Sequence, residues 1–371
     1  MTAVELGVVA TRSALDRAGI EASDVSEVII GQARQAGNGP NPARQISIRA
    51  GVPVEVPAYT VNKACGSGLK SIILACQEIL LGNAEIVVAG GVESMSRVPY
   101  LVENARWGLR LGNQEFTDGM YRDGFMCPLA DMVMGETAEK LAEVHQISRS
   151  EQDEFAFKSQ QKASTASQSG RFSDEISPVE VPKKKGGMLV FETDEHVRAD
   201  VTMDGLAALK PVFAKEGTVT AGNSSGITDG AAATVLISEE TIKRYDLKPL
   251  ARIVDYAIAG VDPKVMGIGP VPAINKLLSK TGIRLQNFDL VELNEAFAAQ
   301  VLACMRELPM DDEKLNVNGG AIALGHPIGC TGARITTTLL HEMKRRKTRY
   351  GLATLCISGG MGIAVAFEGV D

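Results

Sequence analysis

The stretch Val61-Asn62-Lys63-Ala64-Cys65-Gly66-Ser67-Gly68-Leu69-Lys70 joins an extended segment to a helix through a turn of small residues. Residues 69–81 have a helical pattern that Gly82 closes, so Cys65 is expected near a helix N-terminus. Unpaired N–H groups and the helix dipole favour an anion there. Because the thiolate is the nucleophilic form of cysteine, this position predicts a lowered pKa and a reactive side chain. A small core thiol is the alternative interpretation.

Composition limits the classes of protein that this chain can belong to. Its 371 residues are 45% apolar and 22% charged, which is typical of a globular protein with two or three domains. The net charge of −7 argues against nucleic acid as the main partner. No apolar run reaches the roughly 18 residues of a membrane span, and no secretory signal pattern is present. The six cysteines form no CxxC pairs, which predicts reduced thiols in a cytoplasmic protein rather than a disulfide or zinc framework.

Strand-like and helix-like segments alternate along most of the chain, which predicts a layered α/β fold. The first part has an amphipathic helical pattern and then three strand patterns, at residues 4–18, 25–30, 59–63 and 86–91. The middle part breaks this alternation with loops and two helical patterns, at 134–145 and 149–169. The run Lys183-Lys184-Lys185 in this part is interpreted as solvated surface.

Regular alternation returns at residues 231–238 and continues to the end of the sequence. We therefore expect three parts: an N-terminal half (1–95 and 227–249), an inserted loop domain (96–226) and a C-terminal half (250–371). The two halves look like a weak repeat, because each has a Val-Asn pair, a Gly- and Cys-containing turn, a helix and a strand ending in Gly-Gly. A duplicated fold would bring the turns at Cys65 and Cys330 together at a central interface, where sites often form.

Three polar clusters in the second half are candidates for chemistry. His326 lies in the glycine-rich run 318–327, where Pro327 disfavours helical backbone and the imidazole can act as a base or donor. Asn294 follows the predicted strand 290–293 and could be a plain helix N-cap. Cys356 precedes the turn Ser358-Gly359-Gly360, and a core thiol is its alternative interpretation.

These motifs, together with Gly217-Thr218-Val219-Thr220-Ala221-Gly222-Asn223-Ser224-Ser225-Gly226 and Asn294-Glu295-Ala296-Phe297, resemble the thiolase family. That family comprises acetyl-CoA acetyltransferases and 3-ketoacyl-CoA thiolases, and the resemblance extends from about Ala3 to Glu368. It implies the thiolase fold, with two similar βαβ-type halves, α/β/α/β/α layers and an inserted loop domain. It also implies a homodimer or homotetramer.

The resemblance implies a ping-pong reaction that condenses two acetyl-CoA molecules to acetoacetyl-CoA, and its reverse. Cys65 would attack the thioester while His326 takes its proton, and Cys356 would exchange a proton with the α-carbon of the second acetyl-CoA. His326 and a water held by Asn294 would stabilise the enolate oxygen. Backbone N–H groups of Cys65 and Ser358 would hold the tetrahedral oxyanion. No metal or redox cofactor is implied, since coenzyme A is a substrate.

The resemblance also implies a set of contacts to coenzyme A. Most of them come from the irregular middle segment, and Arg198 among them suits the nucleotide part. The implied residues are Met134, Arg198, Phe213, Ala221, Ser225, Ala296 and Phe297. Val133 stands where biosynthetic members commonly have histidine, whereas the Cys65-Gly66-Ser67-Gly68-Leu69-Lys70 motif favours the biosynthetic type.

The start of the chain departs from the family pattern. Family members usually have a strand before the helix predicted at residues 4–18, and we expect that strand to be central in the first sheet. A fragment, a misplaced start or a rearranged sheet would explain the departure. The capping-box spacing of Thr2 and Glu5 is interpreted as coincidence.

Three alternative functions follow from these observations. Within the enzymes, the alternative is a broad-chain 3-ketoacyl-CoA thiolase of fatty-acid degradation. Because of the departure at the start, a truncated, non-catalytic thiolase-like protein is the second alternative. Ser67-Gly68-Leu69-Lys70 and Lys280-Thr281-Gly282 fit the short motifs of exported serine acyl-enzymes, but the S-D-N element is missing.

Overall fold

The computed structural model describes residues 1–183 and 186–370. Its α-helices are α1 (Ala3–Ala18), α2 (Pro42–Ala50), α3 (Ser67–Leu80), α4 (Met134–Val144), α5 (Arg149–Gln168), α6 (Met203–Ala207), α7 (Glu239–Tyr245), α8 (Pro270–Thr281), α9 (Ala298–Glu307), α10 (Ala321–Leu324) and α11 (Thr331–Arg346). Among the described residues, no helix combines the length and the apolar character that a bilayer crossing requires. Of the predicted lysine run, Lys183 is exposed, whereas Lys184 and Lys185 lie outside the described residues.

The strands complete the element order. They are β1 (Glu27–Gly31), β2 (Ala58–Val61), β3 (Ile86–Glu93), β4 (Tyr100–Leu101), β5 (Thr117–Asp118), β6 (Met126–Cys127), β7 (Met132–Val133), β8 (Val179–Pro182), β9 (Met188–Phe191), β10 (Gly230–Ile237), β11 (Ala251–Gly260), β12 (Leu290–Leu293), β13 (Tyr350–Ile357) and β14 (Met361–Gly369). Strands β1, β2, β3 and β12 agree with the predicted strands to within two residues, because apolar runs bounded by Gly and Pro define them.

Two four-stranded sheets organise the molecule, in the orders β10-β3-β1-β2 and β11-β14-β13-β12. Strand β1 runs parallel to both β2 and β3, and β12 runs parallel to β13. Strands β10, β11 and β14 add the antiparallel pairings. The parallel strands place the segments after β1, β2 and β3 at one edge of the first sheet, the edge at which α/β proteins bind ligands.

Five layers result from how the helices pack on these sheets. Helices α3 and α11 lie between the two sheets, and their apolar side chains form one core with β1, β3, β13 and β14. Helices α1 and α2 cover the outer face of the first sheet, and α8 and α9 cover that of the second. The α/β/α/β/α arrangement predicted from the family resemblance is therefore confirmed. The predicted boundaries after residues 95, 226 and 249 stay predictions.

The start of α1 corrects the interpretation of Thr2 and Glu5 as coincidence. The Thr2 hydroxyl accepts a hydrogen bond from the Glu5 N–H at 3.2 Å, and the Glu5 carboxylate accepts one from the Thr2 N–H at 2.7 Å. This reciprocal pair satisfies two N–H groups that the first turn would otherwise leave free. The capping box is therefore real, and α1 begins as a capped helix.

The first sheet also corrects the expectation about a missing central strand. Its four strands pair without interruption, and β10 is an edge strand that pairs only with β3 among residues 1–183 and 186–370. In the second sheet β11 occupies the corresponding outer position, antiparallel to β14. A cavity of about 1130 Å³ lies beside β10, lined by residues of α1, β8, β9, β10 and α11. The centre of the first sheet is therefore continuous in the part of the chain that the structure describes.

Candidate active site

The two similar turns meet at the centre of the molecule, as the internal repeat predicts. A Cβ added to Gly68 would lie 2.7 Å from the Ala333 backbone N and 3.0 Å from the Cys330 carbonyl oxygen. A Cβ at Gly332 would overlap the Leu69 backbone. Because glycine has no side chain at these two positions, the N-terminal ends of α3 and α11 approach each other closely. The turn of Cys65 therefore lies beside the turn that follows His326.

Cys65 is half-buried two residues before α3 begins at Ser67. Its side chain packs on Ala33, Met95 and Ile328. Burial raises the pKa of the Cys65 thiol, although N–H groups of Ser358 and Cys65 and the positive charge of Arg34 act to lower that pKa. The predicted lowering of the pKa is therefore wrong, because loss of solvent outweighs the nearby donors and charge.

His326 is 9% exposed, and its N–H donates to the Gly226 carbonyl at 2.9 Å. Burial lowers the pKa of the imidazole to about 3, and the charges of Arg334 and Arg34 act in the same direction. The Thr331 hydroxyl donates to the Pro327 carbonyl at 3.1 Å, so Nδ1 of His326 donates to Thr331 Oγ1 at 2.6 Å. The neutral ring therefore keeps a lone pair on Nε2, as a general base requires.

Cys356 lies near the end of β13 and is 1% exposed. Burial raises its pKa well above the ordinary thiol value, and the neighbouring Cys65 and Cys304 add to the increase in pKa. Ser358, two residues further along, directs its N–H to the Cys65 sulfur and lowers the pKa of that thiol. The two cysteines predicted from separate motifs therefore share one site, and both are thiols at neutral pH.

Asn294 is buried at the end of β12, and its N–H donates to the Thr354 carbonyl at 3.1 Å. Helix α9 begins only at Ala298, so the N-cap interpretation of Asn294 is wrong. Neither Nδ2 nor Oδ1 of Asn294 has a hydrogen-bond partner among the described residues. A buried carboxamide without protein partners is suited to hold a water or a ligand.

Glu93, at the end of β3, connects three segments of the site and was not predicted from the sequence. Its carboxylate accepts hydrogen bonds from the N–H groups of Ala33, Arg34 and Gly329, at 3.0, 3.0 and 2.9 Å. Burial nevertheless raises the pKa of Glu93. The sequence signal was an acidic residue at the carboxyl end of an apolar strand, where parallel strands present ligand-binding groups.

Glu295 forms a second network that the sequence did not reveal. It accepts hydrogen bonds from the Ser159 hydroxyl, the Asn316 side chain and the Ile322 N–H, at 2.6, 2.8 and 3.2 Å. Burial raises the pKa of this carboxyl, and these donors oppose the increase in pKa. Because Glu295 follows Asn294, the network fixes the backbone of Asn294 relative to α10, which ends just before His326.

Most of the residues assigned to coenzyme A gather beside Cys356. Met134, Phe213, Ala296 and Phe297 share one apolar cluster with Cys356, and the two phenylalanine rings lie edge to face with centroids 6.1 Å apart. The Ser225 N–H donates to the Ala296 carbonyl at 3.0 Å. Ala221 and Arg198 do not belong to this cluster. Both are exposed, and Arg198 lines the cavity beside β10.

Comparison with known proteins finds two family matches along the chain. Residues 1–240 match the family described as the thiolase N-terminal domain, and residues 247–369 match the thiolase C-terminal domain. An acetyl-CoA acetyltransferase of Pseudomonas aeruginosa is 55% identical over 98% of this chain and 92% of its own length. An acetyl-CoA acetyltransferase of Cupriavidus necator is 54% identical over 99% of this chain and 93% of its own length.

Solved structures agree with these sequence relatives. The acetyl-CoA acetyltransferase of Bacillus anthracis superposes with a TM-score of 0.97 at 49% identity, covering 100% of this chain and 93% of that chain. Human mitochondrial 3-ketoacyl-CoA thiolase also superposes with a TM-score of 0.97, at 46% identity, covering 100% of this chain and 94% of that chain.

Proposed function

The chain belongs to the thiolase family, and from that membership we propose that it is an acetyl-CoA acetyltransferase. In this proposal it condenses two acetyl-CoA molecules to acetoacetyl-CoA and catalyses the reverse thiolysis. The observation that carries the proposal is that Cys65, His326, Cys356 and an unpartnered Asn294 lie around the junction of the two halves.

In the first half-reaction, Nε2 of His326 takes the thiol proton while Cys65 Sγ attacks the thioester carbon. The Cys65–His326 pair is electrically neutral at rest, because the pKa of Cys65 is raised and the pKa of His326 is lowered to about 3. Proton transfer before attack is therefore uphill, so we expect it to coincide with attack. The N–H groups of Cys65 and Ser358, which lie at the Cys65 sulfur, would hold the tetrahedral oxyanion, and losing one such donor typically costs roughly 100-fold in rate.

In the second half-reaction, Cys356 removes a proton from the α-carbon of the second acetyl-CoA, and the carbanion attacks the acyl group on Cys65. In thiolysis the same thiol protonates the enolate instead. The raised pKa of Cys356 suits it to hold and deliver this proton. Asn294, through a bound water, and His326 would stabilise the enolate oxygen, and the free carboxamide of Asn294 supports that role.

Coenzyme A is a substrate in this reaction, and the proposal requires no metal or redox cofactor. Met134, Phe213, Ala296 and Phe297 would contact the pantetheine arm beside Cys356, with Ser225 close to them. Arg198 and Ala221 would bind the more exposed nucleotide end. We further propose a homodimer or homotetramer located in the cytoplasm.

A broad-chain 3-ketoacyl-CoA thiolase is the second candidate function. It is supported by the human mitochondrial 3-ketoacyl-CoA thiolase, whose structure covers the whole of this chain. The two candidates share the reaction at Cys65 and differ only in the acyl group that it accepts.

The test is CoA-dependent cleavage of acetoacetyl-CoA and of a longer 3-ketoacyl-CoA by the purified 371-residue chain. Cys65→Ala should abolish both activities, whereas Cys76→Ala, which changes a half-buried thiol within α3, should retain them. The ratio of the two rates distinguishes the acetyltransferase from the broad-chain thiolase. A folded protein that binds CoA without turnover would instead support the non-catalytic alternative.

A further inference from the structure

The Glu93 side chain is fully buried, and one of its carboxylate oxygens joins two separate segments of the site. Oε2 accepts hydrogen bonds from the Ala33 N–H at 3.0 Å and from the Gly329 N–H at 2.9 Å. Oε1 accepts the Arg34 N–H at 3.0 Å. Gly329 can approach this closely because it has no side chain, since an added Cβ would lie 2.7 Å from the Ala33 nitrogen. The loop of His326, which ends at Gly329, is therefore attached to the segment after β1.

The segment after β1 is also attached to the turn of Cys65. The Asn62 side chain donates from Nδ2 to the Ala33 carbonyl at 3.1 Å. Its Oδ1 accepts the Ala64 N–H at 2.9 Å, one residue before Cys65. Hydrogen bonds therefore lead from the turn of Cys65, through Ala33, to the carboxylate of Glu93 and to the loop that this carboxylate holds.

A neutral acceptor could make the same hydrogen bonds, so the charge of Glu93 requires a reason of its own. Burial raises the pKa of Glu93, whereas its three N–H donors and the Arg34 guanidinium favour the ionised form. Burial is the main cause of the raised pKa of Cys65, and the negative charge of Glu93 adds to it, against the positive charge of Arg34. A thiol of higher pKa gives a more nucleophilic thiolate. The charge of Glu93 therefore favours the proton on Cys65 at rest and the attack by sulfur once that proton has left.

We propose that Glu93 is a positioning residue for the acyl transfer, which holds the loop of His326 at the turn of Cys65 and, by its charge, keeps Cys65 a thiol until a base takes the proton. This inference rests on the proposed thiolase function and deepens it. Glu93 acts through Cys65 and His326, so no bond to Glu93 forms or breaks in the reaction. Arg34, Arg334 and Cys356 also bear on the charges of this pair, and they are unchanged in the variants below.

Two substitutions separate the reach of the Glu93 side chain from its charge. Glu93→Gln keeps an oxygen for the N–H groups of Ala33 and Gly329 but removes the charge. Glu93→Asp keeps the charge, but its side chain is one methylene shorter and cannot hold both segments. Glu85→Gln is the matched control, because it removes an exposed carboxylate beside the other end of the same strand, β3.

The charge is measured by iodoacetamide alkylation of the Cys65 peptide across pH, with Cys65→Ala as the background. In Glu93→Gln we expect the profile to shift by about one unit towards lower pH, because the thiolate is no longer repelled. Glu93→Asp and Glu85→Gln should follow the parent profile.

The reach is measured by kcat for acetoacetyl-CoA cleavage. We expect kcat to fall about 10- to 100-fold in Glu93→Asp with KM nearly unchanged, because the loop of His326 is no longer held at the Cys65 turn. Glu93→Gln should lose about threefold, since its Cys65 thiolate is the weaker nucleophile. Glu85→Gln should keep the parent kcat.

Two results would overturn the inference. An unchanged alkylation profile in Glu93→Gln would show that the charge does not act on Cys65, and the parent kcat in Glu93→Asp would show that the hydrogen bonds do not position His326. Thermal unfolding verifies that each variant is folded, and if the aspartate variant is not, the profile of the glutamine variant still decides. That profile needs no turnover, whereas loss of acetoacetyl-CoA cleavage in Cys65→Ala tests the proposed function, so the two failures can be distinguished.

Discussion

At Cys65, burial and hydrogen bonding act on the same thiol in opposite directions. The helix N-terminus that the sequence indicates is present, but loss of solvent raises the pKa of Cys65 all the same. In the resting protein Cys65 is therefore a thiol, and it becomes a thiolate only when a substrate and a base are in place.

This pKa predicts how free Cys65 reacts with iodoacetamide. Because only the thiolate reacts, the alkylation rate should increase steadily with pH and reach no plateau below about pH 8.5, the ordinary thiol value. Mass spectrometry of the Cys65 peptide measures the rate, and Cys65→Ala gives the background. A plateau near neutral pH would show that a stabilised thiolate exists in the resting enzyme.

The Thr331 hydroxyl should matter because it selects the tautomer of His326. Thr331→Val removes the acceptor of the Nδ1–H at almost constant volume, so we expect kcat for acetoacetyl-CoA cleavage to fall about 10- to 100-fold. Thr331→Ser keeps the oxygen and should restore most of the rate. A valine variant with the parent kcat would rule out this role for the hydroxyl.

At the scale of elements, the crossing of α3 and α11 depends on the lack of side chains at Gly68 and Gly332. Gly332→Ala would overlap the Leu69 backbone, which cannot move without shifting α3. We expect a loss of about 1–3 kcal/mol in the free energy of unfolding, measured by urea denaturation. Gly260→Ala is the control, since its nearest neighbour would be 3.8 Å away, and it should be close to neutral.

Elements with strong local signals were predictable, whereas contacts between distant segments were not. Helix α1, strand β3 and the meeting of the two turns follow from periodicity, glycine positions and the internal repeat. The partners of Glu93 and Glu295 could not be predicted, because each network joins residues separated by 20 or more positions along the chain. The predicted direction of the Cys65 pKa shift was wrong for a related reason, because the burial of a side chain depends on the whole fold.

At the scale of the molecule, buried carboxyls link stability to pH. Burial raises the pKa of Glu292 to about 8, whereas the unfolded value is about 4.3. Between these values the folded chain keeps a proton that the unfolded chain releases, so this group makes stability fall as pH rises.

Glu292→Gln should therefore be more stable than the parent chain at pH 8, by about 2–4 kcal/mol, with little difference near pH 4.5. Denaturation midpoints across this pH range measure the effect. The Arg334 guanidinium lies 3.9 Å from the Glu292 carboxylate, and its charge acts to lower the pKa of Glu292. A glutamine variant that is less stable at pH 7 would mean that Glu292 is ionised and paired with that arginine.

Strand β10 pairs only with β3 among the residues that the structure describes, which has a consequence for the behaviour of this chain in concentrated solution. Its residues, Gly230-Ala231-Ala232-Ala233-Thr234-Val235-Leu236-Ile237, include no charge and no proline, the devices that commonly discourage strands from joining. Strand β9 beside the same cavity exposes Met188, Leu189, Val190 and Phe191. During storage and purification, crowding or warming should therefore favour backbone pairing between the β10 strands of different copies of the chain. This pairing should be detectable as turbidity.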